Sequence, residues 1–361
     1  MARILVALSG GVDSAVAAWL LREAGHELLA VTLELMPRDA TVAAEVQAER
    51  STAAHRIAAR LGLAHEWLDA RADFEREVVA PFVGAYAAGE TPNPCARCNA
   101  RIKLGRLIAL ARDRGYSRVA TGHYARLTRS AQRAARLRIA RDGEKDQSYM
   151  LWALTPEACA RLEFPLGERT KAEVRQLAQT AGIAADVAAE SQDLCFIGEE
   201  GYGAFLARRL DCAAAARQPG AILHVDGRRL GEHRGLIHFT PGQRRGLGVS
   251  SPSGEPLYVV ALEPATRVLR VGEAHHLARR TVCAGAARIH DPAACRVEAR
   301  LAGRLRHRQP LAAGRVTAMR PQGFTFRFDA PQQGVAAGQS LVLYAGEHVV
   351  AGGRIMPVDR S

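Results

Sequence analysis

The first 33 residues restrict the fold of this chain more than any other part of it. The apolar run from Ile4 to Leu8 is bounded by Ser9-Gly10-Gly11 and is typical of a buried parallel strand. Apolar residues continue at helical spacing from Val12 to Leu21 and stop at Gly25, and a second apolar run, Leu28 to Leu33, follows. Strand, glycine turn, helix and strand form a βαβ unit, so we predict a parallel sheet at the N-terminus.

Later segments extend this pattern and then change it. Further helices are predicted over residues 43–60, 74–88 and 102–114, and further strands over residues 66–68 and 118–121. After Gly198 short strand-like pieces alternate with glycine turns, which is typical of antiparallel sheets and barrels. These pieces include Ile222–Val225, Leu236–Phe239, Phe324–Phe328 and Leu341–Tyr344. We therefore predict an α/β protein in three parts: a parallel-sheet domain over residues 1–200, a small central domain over 201–275 and an antiparallel β-barrel over 276–361.

The composition limits the function classes. No run of about 18 uncharged apolar residues occurs, and the first residues lack the layout of a signal peptide, so we expect no membrane association. Seven cysteines are thinly spread over 361 residues. An odd and sparse set indicates a reducing cytoplasm, with thiol chemistry or metal binding in place of a disulfide framework.

The positive charge is concentrated toward the C-terminus. The net charge is +12, and residues 279–329 contain eleven arginines against three acidic residues. Such a region attracts a phosphate backbone, although an arginine-rich composition spread over the whole surface would give a similar count. Lysine occurs only as Lys103, Lys145 and Lys171. In so arginine-rich a chain, a lysine indicates a position that needs a compact ammonium group.

The turn Ser9-Gly10-Gly11-Val12-Asp13-Ser14 is a candidate phosphate loop. Its glycines allow backbone N–H groups to approach an anion, and the following helix adds partial positive charge. The loop contains no lysine and does not match the Walker A pattern. Asp13 in such a loop needs a compensating cation, so we predict Mg²⁺ there beside a pyrophosphate.

Two cysteines are candidates for chemistry. Cys98 follows the proline-stiffened segment 91–97 and lies near a helix start between Arg97 and Arg101, so we expect its pKa to be lowered. Cys195 lies in the segment Ser191–Gly198. The other cysteines outside these two segments are expected to be buried structural residues, namely Cys159, Cys212, Cys283 and Cys295.

Several segments resemble known families. S-G-G-V-D-S resembles the PP-loop of the ATP pyrophosphatase superfamily, whose members cleave ATP between the α and β phosphates. T-P-N-P-x-x-x-C-N, A-T-G-H-Y, K-D-Q-S-Y, L-C-F-I-G, G-E-H-x-G-L, T-P-G-Q-R-x-G-L-G and G-Q-S are similar, in the same order, to the bacterial tRNA-specific 2-thiouridylases. The resemblance extends from Ser9 to Gln339. It implies an adenine nucleotide alpha hydrolase-like PP-loop domain, a central domain, a C-terminal barrel, and thiolation of the wobble uridine in tRNAs for Lys, Glu and Gln.

The resemblance also implies the site residues. The nucleotide is expected at Ala7, Leu8, Ser9, Gly10, Gly11, Val12, Asp13, Ser14, Leu33 and Gly122. The target base is expected beside Asn93, Pro94 and Cys95, and tRNA contacts are expected from His123, Lys145, Asp146, Gln147, Arg306, His307 and Gln339. Without the resemblance, residues 145–147 would be interpreted as a polar loop and residues 304–308 as a solvated basic strand face.

The implied chemistry uses ATP and two or three thiols. Adenylation of the uracil 2-oxygen makes AMP the leaving group, Cys195 receives a persulfide from a sulfur-relay partner, and Cys98 completes transfer by forming a disulfide with Cys195. Cys95, an aspartate in part of the family, adds a third thiol. A [4Fe-4S] cluster on Cys95, Cys98 and Cys195 is therefore a second route, whereas zinc lacks a fourth ligand.

Three other functions remain as alternatives. An amidating PP-loop synthetase would need a nitrogen source, for which no obvious second half is present. An enzyme that thiolates another tRNA position fits the same residues. A non-catalytic tRNA-binding protein would have no need of Asp13, Cys98 and Cys195 together.

Overall fold

A computed structural model describes residues 1–36, 42–129, 135–188, 194–197, 201–251 and 254–357 of the chain. Ser191, Gln192, Asp193 and Gly198 of the predicted Cys195 segment lie outside these residues. The chain divides into two compact units. The first contains residues within 1–78, 95–198 and 346–349, and the second contains residues within 79–94, 199–345 and 350–361.

The helices are mostly short. Within the described residues they are α1 (Val12–Glu23), α2 (Val42–Arg60), α3 (Arg71–Phe74), α4 (Ala80–Ala87), α5 (Pro94–Cys98), α6 (Leu104–Asp113), α7 (Pro156–Ala160), α8 (Lys171–Thr180) and α9 (Gly201–Arg209). Single π-helical turns, Glu75–Val79 and Asn99–Lys103, lie between α3 and α4 and between α5 and α6. Among the helices described here, none is long and apolar enough to cross a membrane.

The strands build three sheets. In chain order they are β1 (Arg3–Ala7), β2 (Glu27–Glu34), β3 (Ala64–Asp69), β4 (Arg118–Ala120), β5 (Arg126–Arg129), β6 (Ala135–Arg138), β7 (Leu162–Glu163), β8 (Gly220–His224), β9 (Arg229–His233), β10 (Tyr258–Glu263), β11 (Val268–Gly272), β12 (Arg279–Ile289), β13 (Arg300–Arg304), β14 (Ala312–Arg320), β15 (Gly323–Gln332), β16 (Ser340–Ala345) and β17 (His348–Ile355).

The first unit contains the predicted parallel sheet, in the order β3-β2-β1-β4-β7. Every neighbouring pair is parallel, with Leu5 beside Leu29 on one side and beside Val119 on the other. Ile4, Leu5 and Val6 of the central strand are fully buried, as their apolar sequence predicts. α1 and α8 pack against the same core with Val16 and Val174. The prediction of a parallel N-terminal sheet is confirmed.

The strand order reverses between β1 and β4. β2 and β3 lie on one side of β1, whereas β4 lies on the other. In open parallel sheets a ligand crevice forms at such a point, outside the carboxyl ends of the strands. The candidate phosphate loop follows β1, and Gly122 follows β4, so both predicted segments lie at this crevice.

The second unit is largely antiparallel. Its smaller sheet has the order β10-β11-β8-β9, and the larger one runs β12-β15-β14-β13-β16-β17 and closes through pairing of β12 with β17. Phe324, Phe326 and Phe328 of β15 fill the barrel core. The predicted C-terminal barrel is confirmed. The predicted strand over residues 236–239 is wrong, because Leu236–His238 is a 3₁₀ turn, and a short apolar run does not distinguish the two.

Candidate functional site

The loop after β1 has the shape of an anion cradle. Gly10 has a positive φ of 79°, and a Cβ there would collide with the carbonyl oxygen of Arg50. The Ser14 hydroxyl fixes the loop, since it donates to the Gly11 carbonyl oxygen (2.9 Å) and accepts from the Ser9 N–H (3.1 Å). Gly11 provides no side-chain cap for α1. The first N–H groups of α1 are therefore suited to a phosphate acceptor.

The chain after β4 packs directly on this loop. A Cβ at Gly122 would lie 2.6 Å from both the Asp13 carbonyl carbon and the Ser14 nitrogen. No side chain fits in that space. Gly122 is therefore required by packing between the two ends of β1 and β4, which defines one wall of the crevice.

A cavity of about 280 Å³ opens beside the loop. Of the predicted nucleotide residues it is lined by Ala7, Leu8, Ser9, Asp13, Ser14, Leu33 and Gly122, whereas Gly10, Gly11 and Val12 are not in its wall. The wall also contains His123, Gln147 and Cys195 from the other predicted sets. Residues that the sequence did not suggest complete it: Val31, Thr32, Leu35, Val46, Gln47, Arg50, Lys103, Leu104, Leu107 and Thr121.

Asp13 is paired with a lysine. Its Oδ1 accepts from Lys171 Nζ (2.7 Å) and from the Tyr124 hydroxyl (2.8 Å). Lys171 is the first residue of α8, and its side chain is only 8% exposed. A capping box between Thr170 and Glu173 fixes this helix start. Sequence reasoning expected only Mg²⁺ to compensate Asp13 and did not assign Lys171 to the site.

Two more cations line the cavity. Lys103 lies on the π-helical turn after α5, and Arg50 lies on α2. The π-helical turn is held by Asn99, whose amide donates to the Met150 carbonyl oxygen (3.1 Å). With Asp13 as the acidic side chain in the described wall, these cations give the cavity a positive charge that suits a polyphosphate.

Cys98 is a buried thiol, and the lowered pKa predicted for it is wrong. Its side chain is 5% exposed, and burial raises its pKa to about 12, against a smaller opposite effect of Lys103. Arg97 does not lower the pKa as expected, because its guanidinium pairs with the Glu77 carboxylate (2.8 Å). α5 has only five residues, so its dipole adds little.

Cys195 is the exposed thiol of the set and lies in the cavity wall. The next residue, Phe196, packs edge-on against Phe74 with ring centres 5.8 Å apart, and Ile197 is buried. This packing anchors the segment that carries Cys195.

Cys95 is half-buried one helical turn before Cys98. Burial raises the pKa of its thiol, Lys103 opposes this, and Cys195 adds to it. Each of the three thiols therefore interacts electrostatically with Lys103. Among the described residues, the three sulfurs do not lie within 4.8 Å of one another, which disfavours a single zinc ion. Ligands of a cluster are farther apart than those of one ion, so this criterion leaves a cluster open.

The expected tRNA contacts in the first unit differ in accessibility. Burial lowers the pKa of His123 to about 3, with a further contribution from Lys103, so its ring is neutral and bonded to Thr121 (2.7 Å). The Gln147 side chain accepts from the Tyr124 N–H (2.9 Å) at the cavity wall, and Lys145 is half-buried.

The Asp146 carboxylate is enclosed by groups of its own chain segment. Its carboxylate is 2% exposed and accepts from the N–H groups of Ala140 and Ser148 (both 3.1 Å) and from the Ser148 hydroxyl (2.9 Å). A carboxylate so enclosed holds the turn between Lys145 and Gln147, and its contact with tRNA stays a prediction.

Two residues of the second unit that were expected at the base or the tRNA, Gln339 and Asn93, support the proline-containing segment 91–94, here called the proline loop. Gln339 donates its amide to the carbonyl oxygens of Thr91 (3.1 Å) and Pro92 (3.3 Å), and Asn93 donates to the Ser340 hydroxyl (3.1 Å). Pro94 is buried. These bonds fix the chain just before Cys95.

The barrel carries the basic residues. Arg306 is exposed and donates to the Gly334 carbonyl oxygen (3.0 Å), and His307 is half-buried beside it.

Arg300, Arg315 and Arg327 lie directly opposite one another on three adjacent strands. With Arg280, Phe328 and Asp329 they line a second cavity of about 250 Å³. Asp329 pairs with Arg300 (2.8 Å) and Glu298 with Arg315 (3.3 Å).

Three family models match most of the chain. Residues 2–199 match a tRNA methyl transferase HUP domain, residues 204–273 a tRNA methyl transferase PRC-barrel domain, and residues 279–355 an aminomethyltransferase beta-barrel domain. Similar proteins include the tRNA-specific 2-thiouridylase MnmA of Roseiflexus castenholzii, 41% identical over 98% of this chain and 99% of that protein. The protein of the same name from Sorangium cellulosum is 43% identical over 100% of this chain and 94% of its own length.

Solved structures are more distant. The U34-tRNA thiolase NcsA from Methanococcus maripaludis, with its [4Fe-4S] cluster, is 16% identical, covers 54% of this chain and 60% of its own, and has a TM-score of 0.33. A 4-thiouridine synthetase in complex with RNA and ATP is 19% identical over 54% of this chain and 44% of its own, with a TM-score of 0.34. With TM-scores this low, these structures say nothing about the function of this chain.

Proposed function

We propose that this chain, which belongs to the tRNA-specific 2-thiouridylase family, uses ATP to replace the 2-oxygen of the wobble uridine in tRNA by sulfur. As a member of that family it is a tRNA sulfurtransferase. Two of the matched domain models carry the words methyl transferase in their names, whereas the full-length relatives are named 2-thiouridylases. The thiols at the site agree with the second name. One observation carries the proposal: a phosphate loop and the exposed thiol of Cys195 lie in the wall of the same cavity.

The cavity residues suit ATP as a substrate. The loop N–H groups at the start of α1 would donate to the phosphate oxygens, and Lys103 and Arg50 in the cavity wall would balance the phosphate charge. The apolar wall at Leu33 would receive the adenine. Asp13 also suits Mg²⁺, because this ion commonly takes one or two carboxylates together with substrate phosphates. When bound, Mg²⁺ would neutralise part of the pyrophosphate charge.

ATP solves the chemical difficulty at the base. The C2 carbonyl of uracil is a poor electrophile, and its oxygen is a poor leaving group. Attack of that oxygen on the α-phosphorus releases pyrophosphate and forms the adenylate. A sulfur nucleophile at C2 then expels AMP. The base has to leave its stack in the anticodon loop to reach the cavity.

Cys195 is the proposed sulfur carrier. A donor protein transfers one sulfur atom to its thiolate, which gives a persulfide. The terminal sulfur attacks C2, AMP leaves, and Cys195 is joined to the base through a disulfide. The Cys98 thiolate attacks the Cys195 sulfur, so that a Cys98–Cys195 disulfide forms and 2-thiouridine leaves with the electron pair. Alternatively, Cys98 attacks the persulfide first, and the released sulfide attacks C2. A reductant restores both thiols, which agrees with a cytoplasmic enzyme.

A cluster-dependent route is the second candidate, and the position of Cys95 favours it. Cys95, Cys98 and Cys195 all interact electrostatically with Lys103, whose charge would offset that of three thiolates. Three such ligands fit a [4Fe-4S] cluster with one open iron, which when bound would supply a site for the extra sulfide. Cys95→Ala distinguishes the two routes, since only the cluster route needs a third thiol.

The tRNA side of the proposal rests on the second unit and on the turn at Lys145. Arg306, His307 and the row of arginines on the barrel offer positive charge, and Asn93 and Gln339 fix the proline loop that borders the target base. We propose tRNAs for Lys, Glu and Gln as substrates. The sulfur donor is a persulfide-carrying protein.

A reconstituted reaction tests the function. Purified chain, unmodified substrate tRNA, ATP and a persulfide donor should give AMP, pyrophosphate and 2-thiouridine, measured by chromatography and nucleoside mass spectrometry. Cys195→Ser should abolish 2-thiouridine while pyrophosphate release persists, because adenylation needs no thiol. Lys171→Met should lower AMP release by about tenfold or more, since Asp13 then lies uncompensated among the phosphates.

Two outcomes would contradict the proposal. Full thiolation by Cys195→Ser would exclude this cysteine as the sulfur carrier. AMP release in the absence of tRNA, equal to that in its presence, would indicate another adenylated substrate. The cluster route would be excluded if anaerobically purified protein contained no iron and the Cys95→Ala variant kept full activity.

A further inference from the structure

The segment between the central sheet and the barrel carries an unassigned group of side chains. Glu273 directly follows β11, and His275 and His276 lie on the 3₁₀ turn Ala274–Leu277 that leads to β12. One nitrogen from each histidine and one Glu273 oxygen all lie within 4.8 Å of one another. All these residues belong to the second unit.

The Glu273 carboxylate is the centre of the group. Its side chain is 13% exposed, and one oxygen, Oε2, lies 3.0 Å from His224 Nε2 and 3.3 Å from His276 Nδ1. One carboxylate oxygen therefore meets the rings of both His224 and His276.

His276 presents a nitrogen that the protein leaves without a good partner. Among the described residues, no hydrogen bond of suitable geometry reaches its buried Nδ1, in spite of the nearby Glu273 oxygen. A Cβ at Gly272 would lie 2.9 Å from this nitrogen, so the absence of a side chain at Gly272 makes room for the ring. The ring of His275 contacts that of His276 in a tilted arrangement, with centres 3.9 Å apart.

A second carboxylate, that of Asp226, contacts the ring of His224. Asp226 lies 2.9 Å from His224 Nδ1, while the opposite nitrogen of the same ring points to Glu273. Carboxylates that ligate metals are themselves hydrogen-bonded by outer side chains. His224, which contacts Asp226 on its other nitrogen, would be that outer partner of Glu273.

We propose that Glu273, His275 and His276 form a binding site for a divalent transition-metal ion of the zinc class. Imidazole nitrogens with one carboxylate oxygen suit Zn²⁺, Co²⁺ or Ni²⁺, whereas Ca²⁺ and Mg²⁺ prefer oxygen ligands alone. The ion would take the unpartnered lone pair of His276. Since His275 is exposed, a fourth position remains open to water.

Such an ion would stiffen the connection to the barrel. It would tie the end of β11 to the turn before β12, and the matched domain models meet between residues 273 and 279. The site uses none of the residues assigned to ATP or tRNA. Its test is therefore independent of the proposed sulfurtransferase reaction.

Metal titration of the full chain tests the proposal. Cys95, Cys98 and Cys195 are replaced by serine to remove the three candidate thiols, and Zn²⁺ is added to chelator-treated protein in a calorimeter. We expect one bound equivalent, and Co²⁺ should give visible absorption without a thiolate charge-transfer band. His275→Ala should weaken Zn²⁺ binding by at least about tenfold, and Asp226→Asn by about tenfold.

The control is His26→Ala, a histidine of the first unit whose Nδ1 accepts from the N–H of Ala2. It should bind Zn²⁺ like the parent. Because His275 is exposed, its loss should not unfold the chain, and circular dichroism checks this. Absence of Zn²⁺ binding, or equal affinity in His275→Ala, would overturn the proposal.

Discussion

At the scale of single residues, the two cysteines assigned to sulfur transfer differ in their access to water. Cys195 is exposed in the cavity wall, whereas Cys98 is 5% exposed and has a pKa raised to about 12 by burial. Since the thiolate is the nucleophile, Cys98 is unreactive at neutral pH in this conformation. The order of the proposed steps follows: Cys195 accepts sulfur first, and Cys98 acts afterwards.

Alkylation rates test this difference. In the free enzyme iodoacetamide should modify Cys195 much faster than Cys98, as followed by mass spectrometry of peptides. The Cys98 rate should rise about tenfold per pH unit from neutral to mildly alkaline conditions, because a raised pKa leaves a thiolate fraction that grows with pH. In denaturant both should react at similar rates. Fast alkylation of Cys98 in the folded enzyme would contradict its burial.

Residues near each other in sequence were predicted better than distant partners. Ser9, Asp13 and Gly122 belong to sequence motifs, and all three line one cavity, while their role in nucleotide binding stays a prediction. Lys171 pairs with Asp13 across 158 positions, and only the packing of α8 against α1 brings them together. The scarcity of lysine marks all three lysines alike and does not indicate which of them lies at the cavity or which charge each meets. The prediction of a lowered pKa for Cys98 was wrong because the neighbours of a residue in the sequence do not show whether that residue is buried.

At the scale of elements, strands with a clear apolar pattern were predicted well. β1 and β2 agree with the predicted runs to within about two residues. The hairpin of β5 and β6 was not predicted, because its arginine-rich strands lack an apolar period. The π-helical turn before α6 was likewise missed, since its residues favour an ordinary helix.

The arginine row on the barrel has an energetic cost of its own. Arg315 on β14 lies opposite Arg300 on one side and Arg327 on the other. Like charges directly opposite each other in a sheet are destabilising. The exposed pair of Arg315 with Glu298 offsets little of this repulsion. A bound phosphate backbone would relieve it.

Arg315→Thr tests this explanation. The free energy of unfolding should rise by up to about 1 kcal/mol, because two repulsions are removed, while affinity for tRNA should fall. Arg320→Thr on the same strand is the control, since Gly323 and not an arginine lies opposite it. Urea unfolding and filter binding measure both quantities. A larger loss of stability in Arg315→Thr than in the control would refute the repulsion.

At the scale of the whole molecule, a net charge of +12 predicts salt-sensitive binding to RNA. Arg306→Ala should weaken tRNA binding and reduce the slope of log affinity against log salt by roughly one unit. Arg22→Ala, on α1 and paired with Glu23 (2.7 Å), should leave the slope unchanged. An identical slope in Arg306→Ala would remove this residue from the tRNA surface.

The chain path limits how this enzyme can be divided. Residues 79–94 belong to the second unit, where the Gln339 amide holds the Thr91 and Pro92 carbonyls, although the cysteine helix that follows lies in the first. A fragment cut after residue 200 would keep Cys95, Cys98 and Cys195 but lose Gln339, whose amide holds the chain just before Cys95. Truncation would therefore separate these cysteines from the side chain that positions the segment leading to them.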